Sequence, residues 1–361
     1  MKIPRTFLTR TFNKSGPPIH LIWFVTARCD LRCTHCFYHE EVANAHINNN
    51  DFSLDEFQKT LDTMSPLLSV TFTGGEPYVR SDFFEIVELF CRKNLAENIL
   101  LFTNGVNSDR VLTVTEKILS SFKDTHFCVT VSVDGFEKEH DETRQLEGAY
   151  QQTLHTIKEL KKLESRFSNL RVGVNTTFHS DNQNIMQKFR EEFYESVGIV
   201  PGITLVRGEP QMPALRNINI QTYKETIKAL GFDRATKRKR NLHDVLVDTR
   251  ERLGHEMNFE TTTTGSRSYE CYGGSLLGVV YETGDVYPCE MLENSKMGNL
   301  RDVDYDFSKV WESAEANKTR KLISAKKCFC TYECQFTTNT LYNVKYWPSY
   351  IKDVAKHIIT T

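Results

Sequence analysis

Three cysteines, Cys29, Cys33 and Cys36, stand within eight residues in the spacing C-x3-C-x2-C. Thiolates are soft ligands that suit zinc and iron–sulfur centres, and an iron–sulfur cluster normally takes four of them. No fourth cysteine is near. A cubane gripped at three irons would keep its last iron for another ligand, and an open coordination place separates a catalytic metal site from a closed structural one. A zinc site is the alternative, with His35 or His39 as its fourth ligand, although zinc spacings favour a second pair further on and none follows. Five more cysteines gather near the other end, Cys271, Cys289, Cys328, Cys330 and Cys334. Two all-cysteine clusters would need about eight thiolates, so five suggest one closed cluster, or a structural zinc, with one cysteine to spare. Cys91 and Cys128 stand alone in apolar segments and read as small buried hydrophobes.

The elements that must position these thiols can be read from hydrophobic pattern. Apolar, β-branched runs occur at 20–26, 67–73, 99–103, 127–133, 172–178 and 203–206. Amphipathic helical patterns lie between them. Ser53-Leu54-Asp55-Glu56 is a capping box opening a helix through Met64. Ser81 is placed to cap a helix over 82–93. A further helix over 153–163 turns His155, Ile157, Leu160 and Leu163 inward. Strands that are apolar throughout and alternate with helices predict a parallel sheet covered by helices. Six such units predict an α/β fold, a partial (β/α)6 TIM-like barrel over residues 1–210. Helices and loops follow over 211–265, with the basic run Lys237-Arg238-Lys239-Arg240 read as a solvated face. Residues 266–361 read as a small α+β domain, with a hairpin at Thr283-Gly284-Asp285 and a helix in the tail near Pro348.

The first thiol group directly follows the first predicted strand, at the C-terminal rim where such folds place their active sites. Polar residues end the other strands too: Thr73-Gly74-Gly75-Glu76-Pro77, Thr103-Asn104-Gly105, Ser132-Val133-Asp134-Gly135, Asn175-Thr176-Thr177 and Leu205-Val206-Arg207-Gly208. His140-Asp141-x2-Arg144 follows the fourth. The cysteine spacing and this ordered set resemble the radical S-adenosylmethionine (radical SAM) enzymes. The third cysteine of that family often has an aromatic residue before it, where this chain has His35. The resemblance implies a [4Fe–4S] cluster on Cys29, Cys33 and Cys36, with SAM on the fourth iron. It implies a SAM site built from Gly74, Gly75, Glu76, Asn104, Ser132, Asp134, Arg144, Thr176 and Arg207. In it Gly75 and Glu76 meet the amino group, Ser132 the ribose, and Arg144 the carboxylate through a bidentate fork. The implied chemistry is reductive cleavage of SAM to a 5′-deoxyadenosyl radical, which removes a hydrogen atom from substrate.

Cys271-x12-Gly284-x4-Cys289, then Gly298-Asn299-Leu300 and Trp311, resemble the start of the SPASM and twitch auxiliary-cluster domains of the same family. One auxiliary iron–sulfur cluster is implied, held by Cys271, Cys289 and Cys334, with Cys328 and Cys330 competing for the fourth place.

Lys and Arg number 45 against 47 Asp and Glu, a formal charge of −2 in 361 residues. That gives no general attraction to nucleic acid. No run reaches the roughly 18 apolar residues of a membrane-spanning helix, and no secretory signal is apparent near Met1. A disulfide framework suits short secreted chains, so the expected location is the cytoplasm. A Phe-rich basic start and an amphipathic tail over 341–359 leave peripheral membrane contact open. Expected partners are an electron donor such as flavodoxin or ferredoxin and a substrate. Only 28 residues precede Cys29, too few for a peptide-recognition domain. The expectation is therefore a small-molecule or lipid-linked substrate, with peptide or protein modification as the alternative.

Overall fold

In a computed structural model, residues 5–47, 50–93, 95–237 and 241–360 are described. The apolar runs form six strands: β1 (His20–Thr26), β2 (Leu67–Gly74), β3 (Ala96–Thr103), β4 (His126–Ser132), β5 (Leu170–Phe178) and β6 (Gly202–Leu205). Each pairs in parallel with the next. A strand covered on both faces has no polar side, and six of the seven β1 residues are buried. Trp23 of β1 is fully buried, with Phe57, Phe90 and Phe52 centred 4.9, 5.7 and 6.0 Å away.

The helices return the chain between strands. Helix Leu54–Asp62 opens on the expected capping box of Ser53 and Glu56. Helix Phe83–Arg92 differs from expectation, because Asp82 rather than Ser81 is its N-cap residue and makes no side-chain cap. Helix Ala149–Arg166 buries Thr153, Thr156, Ile157, Leu160 and Leu163. His155 is exposed instead of inward, because it lies about 200° around the helix from Thr153. Cys91 is buried as expected, whereas Cys128 is half-buried with its thiol 3.8 Å from Thr130. Arg238–Arg240 of the basic run lie outside the described residues.

The C-terminal third departs most from the sequence reading. The hairpin forms, with β7 (Leu277–Val280) and β8 (Asp285–Tyr287) antiparallel around Gly284 at φ 85°. A short β9 (Gly298–Asn299) pairs with β8. Yet β7 also pairs in parallel with β1, His20 opposite Leu277 through Trp23 opposite Val280. One nine-stranded sheet results, in the order β6-β5-β4-β3-β2-β1-β7-β8-β9. The hairpin therefore extends the barrel sheet rather than beginning a sheet of its own. Trp311, 2% exposed, lies over Gly278 and donates from Nε1 to Gly16 O at 2.9 Å.

Both ends of the described chain pack on this extension. Phe7 stacks on Trp347 and meets Tyr342 at a tilt, and Lys14 Nζ donates to Tyr342 O at 2.7 Å. The tail helix Trp347–Thr360 packs against helix Leu242–Thr264, with Asp353 accepting from Thr249 and Arg252. Tyr350 is buried, while Ile351, Ile358 and Ile359 face outward. Among the described residues no helix is long and apolar enough to cross a membrane.

A Cβ on Gly278 would come within 2.6 Å of the Trp311 ring. Gly278→Ala is expected to lower stability by about 1–3 kcal/mol, the cost of overpacking a filled core. Urea unfolding checks this, and an unchanged midpoint would contradict the packing described.

Candidate active site

The rim loops meet because two glycines let backbones touch. Gly74 has φ 134°, and a Cβ there would sit 2.3 Å from Thr26 O. One on Gly75 would sit 2.2 Å from Arg28 O. Without side chains, Gly75 N donates to Thr26 O and Glu76 N to Arg28 O, both at 2.8 Å. Cys29 is the next residue. The loop it begins is tied down by Thr34 N to Thr143 O at 2.9 Å, Met212 N to Thr34 O at 2.9 Å and Gln211 N to Cys36 O at 3.1 Å.

The three thiols of this loop are partly covered, and burial pushes each above its ordinary pKa, Cys36 to about 11. Such a pocket disfavours bare thiolates and suits a cationic metal core. Two donors already face the sulfurs: Leu31 N lies 3.5 Å from Cys29 Sγ, and Arg144 Nη1 lies 3.6 Å from Cys33 Sγ. Among the described residues no three His, Cys, Asp or Glu side chains close on one point as a single ion needs. Zinc holds its thiolates at about 2.3 Å. A cubane takes one thiolate on each of three corners, which matches three cysteines with no fourth nearby in the sequence.

Glu76 is 3% exposed and spans two loops, accepting from Tyr78 N at 3.2 Å and Asn104 N at 2.7 Å. Burial pushes its carboxyl up to about 7. Asn104 in turn donates to Asp30 at 2.6 Å, which links the β3 loop to the cysteine loop. Ser132 closes β4 and is half-buried.

Three residues expected at SAM have other partners. Asp134, fully buried, pairs with Arg144 Nη2 at 2.6 Å and accepts from Thr177 N at 3.0 Å. Burial alone would raise its carboxyl, but Arg144 and the neighbouring imidazoles hold it well below the usual range. Thr176 is fully buried and donates to Val133 O at 2.6 Å, joining β5 to β4. Arg207 turns from the rim toward the C-terminal extension, as described below. Arg144 keeps one buried group, Nε, without a partner. His35 stacks 6.0 Å from His179 beside Asp134, and Asp134 N donates to His140 Nδ1 at 3.1 Å. The expected helix motif thus serves structure as well, since Asp141 accepts from Gly148 N and Tyr150 N at 2.7 Å.

The second thiol group lies on the same side of the molecule. Cys29, Cys36 and Phe37 pack in one apolar cluster with Cys289, Cys330, Cys334 and Tyr332. Burial, then the mutual repulsion of Cys289, Cys330 and Cys271, raises these thiols, Cys330 to about 12. Cys328 feels Cys271 as well. Cys334 differs, because the charges around its thiol are Glu290, Arg207 and Glu333. Cys271 thus acts on Cys289, Cys328 and Cys330, while Cys334 stands among the Arg207, Glu290 and Glu333 charges.

Between the two groups Arg207 lies between Phe37 and Tyr332, 5.2 and 4.8 Å from their ring centres. It pairs with Glu290 at 2.8 Å and Glu333 at 3.6 Å. Glu333 also accepts from Leu205 N at 2.7 Å and Asn258 at 2.9 Å, and burial pushes it up to about 7. Sequence reasoning missed Glu290 and Glu333. Their signal was present: each adjoins a clustered cysteine.

The Radical SAM superfamily model matches residues 23–189, and that of SPASM, an iron–sulfur cluster-binding domain, matches residues 271–335. The chain is 26% identical over 315 residues to the AdoMet-dependent heme synthase of Methanosarcina barkeri, covering 83% of this chain and 84% of that one. It is 25% identical over 324 residues to the cysteine-type anaerobic sulfatase-maturating enzyme of Clostridium novyi, covering 84% and 81%. In fold it is similar to Streptococcus suis SuiB bound to S-adenosylmethionine, with TM-score 0.61 and 13% identity over 85% of this chain and 68% of that one. The cysteine loop on β1, the glycine contact that seats it and the thiols beyond β7 thus belong to an enzyme of the radical SAM superfamily with a C-terminal SPASM domain, which uses a [4Fe–4S] cluster, SAM and auxiliary iron–sulfur chemistry.

Proposed function

We propose that this enzyme is a maturase that modifies a peptide or protein substrate. One observation carries the reading: the half-buried Arg207, paired with Glu290 and Glu333, lies between the two sets of thiols, where a substrate side chain would meet both. The likeness to a sulfatase-maturating enzyme supports a polypeptide substrate. This replaces the small-molecule or lipid-linked preference, which rested on the short segment before Cys29. The likeness to a heme synthase favours a small-molecule substrate as the second reading.

The residues divide the work. Cys29, Cys33 and Cys36 hold the first cluster, and with SAM it supplies an electron and a hydrogen-abstracting radical. Gly75 and Glu76 face the SAM amino group, Asn104 and Ser132 flank it, and Arg144, steadied by Asp134, offers its remaining donor to the carboxylate. Cys271 and Cys289, with two of Cys328, Cys330 and Cys334, hold the auxiliary cluster. The apolar cluster around Phe37 and Tyr332 keeps water from the radical path. The electron comes from a small redox protein.

Anaerobically reconstituted enzyme with SAM and dithionite is expected to form 5′-deoxyadenosine, and Cys33→Ala to abolish it while auxiliary iron remains. Formation by the variant at the wild-type rate would remove the cysteine assignment. Co-expression with any short peptide found encoded beside the gene tests the substrate class. A mass change on the peptide supports the maturase reading, and turnover of a tetrapyrrole without any peptide change supports the second.

Glu76 also predicts a pH dependence. Its carboxyl is protonated below about 7, and only as the carboxylate does it accept with both oxygens from the N–H groups around it, the SAM amino group among them. SAM binding should therefore tighten roughly eightfold from pH 6 to 7.5 as the Glu76 carboxylate forms, with proton release. Calorimetry on the reconstituted protein reads this, and Glu76→Gln should flatten the profile.

The outward Ile351, Ile358 and Ile359 are the residues through which membrane contact would act. If they do, Ile351→Lys/Ile358→Lys should release the protein from anionic liposomes, and equal sedimentation of both forms would dismiss the idea.

A further inference from the structure

Arg267 stands just after helix Leu242–Thr264 and just before Cys271 in the chain. With Cys271 and Gly273 it lines a cavity of about 200 Å³ on the SPASM side of the molecule. It is 7% exposed, and Nη2 donates to Ile323 O at 2.5 Å. Its Nε and Nη1 have no hydrogen-bond partner. A buried donor left idle is costly, so the acceptor meant for this guanidinium is of a kind the bare thiol form does not offer. Sulfur is that acceptor: a protonated thiol accepts weakly, and a metal-bound thiolate accepts as a charged group. Burial raises the Cys271 thiol, while Gly273 N, the Arg267 charge and the Asn339 amide draw it back toward thiolate. Burial raises Cys328 as well, and the Arg267 charge opposes that.

A second segment repeats the pattern. Gln335 directly follows Cys334 and is 3% exposed. Its Oε1 accepts from Thr338 at 3.2 Å, but its Nε2 has no partner. A Cβ on Gly273 would meet this Nε2 at 3.2 Å and Cys271 Sγ at 3.6 Å, so the amide and the sulfur share the space that the glycine leaves bare. Two separate stretches of chain thus bring idle, buried N–H groups to one cysteine. The contrast with Arg207 is instructive. Its charge is matched by Glu290 and Glu333 beside Cys334, whereas among the described residues Arg267 pairs with no carboxylate.

We propose that Arg267 and Gln335 are positioning residues for the auxiliary cluster, which hold the Cys271 thiolate through N–H···S bonds and thereby raise the cluster's reduction potential. Cys271 as a cluster ligand is the one assignment this needs, and the class of substrate plays no part in it. Reduction adds one electron to the cluster and its thiolates, breaks no bond and moves no proton. The added negative charge faces N–H dipoles and an uncancelled guanidinium, and both favour the reduced form. Arg267 supplies charge and two donors, Gln335 a neutral donor alone, so the two differ in the size of their effect.

Anaerobic redox titration of the reconstituted full chain, read by electron paramagnetic resonance, tests this. A Cys33→Ala background leaves the auxiliary cluster as the source of the signal. Arg267→Gln should lower the equilibrium constant for one-electron reduction about tenfold, or about 59 mV in midpoint. Arg267→Lys keeps the charge without the planar fork and should fall between that value and the parent. Gln335→Leu should lower the constant about threefold. Lys188→Gln, which removes an exposed barrel lysine, should change nothing. A merely structural role for these side chains would cost iron and leave the remaining cluster at the parent midpoint, and that result in Arg267→Gln and Gln335→Leu overturns the proposal. If Arg267→Gln retains no cluster, an unshifted midpoint in both Arg267→Lys and Gln335→Leu overturns it, and a lowered midpoint in either supports it. Absence of any auxiliary signal in the parent would overturn it too, by removing the cluster assignment, while leaving the peptide reading to its own mass measurement.

Discussion

The approach of Gly74 and Gly75 to the backbone of Thr26–Arg28 is the contact on which the active rim depends. Strand β2 ends there, and the chain that leads into Cys29 leaves β1 there. Two carbonyls, Thr26 O and Arg28 O, occupy the space that any Cβ would take. The gain is geometric: the loop with three thiols is fixed to the sheet by main-chain hydrogen bonds before any cofactor arrives. Glu76 extends this bracing to the β3 loop, and Asn104 returns it to Asp30 beside Cys29. A catalytic site gains from such preorganisation because little remains to be ordered during the reaction.

Buried charge is the second constraint. Arg144 and Arg207 are both cations sunk at the rim, and each is matched by buried carboxylates. Breaking such a pair strands a charge and costs several kcal/mol. The two pairs therefore fix where the helix after β4 and the SPASM loop stand relative to the thiols. Arg207 also works as a spacer, its flat guanidinium layered between Phe37 from the first cysteine loop and Tyr332 from the second.

Much of this was legible in the residues. All six strands lie where apolar runs predict them, because a strand covered on both faces leaves an unmistakable mark. The rim residues were legible for the same reason, since each follows the end of a run. What escaped was long-range pairing. Nothing in Leu277–Val280 says that its neighbour is β1, some 250 residues earlier, because a buried strand looks alike whichever partner it takes. Side-chain commitments escaped too. Asp134 and Thr176 stand at the rim as the sequence suggests, but only the fold reveals that Arg144 and Val133 claim them. His155 was misplaced by a face error, one helical position being enough to turn inward into outward.

The pairing of β1 with β7 also bears on how the chain comes into being. A ribosome adding about 5–20 residues per second needs roughly 10 to 50 seconds to pass from β1 to β7. For that interval the main-chain donors and acceptors of His20–Trp23 that point away from β2 have no strand to close them. An open apolar edge is a template for intermolecular pairing. The newborn barrel is thus most vulnerable in its centre until synthesis is nearly complete, and its last large segment acts as the clasp that ends that exposure.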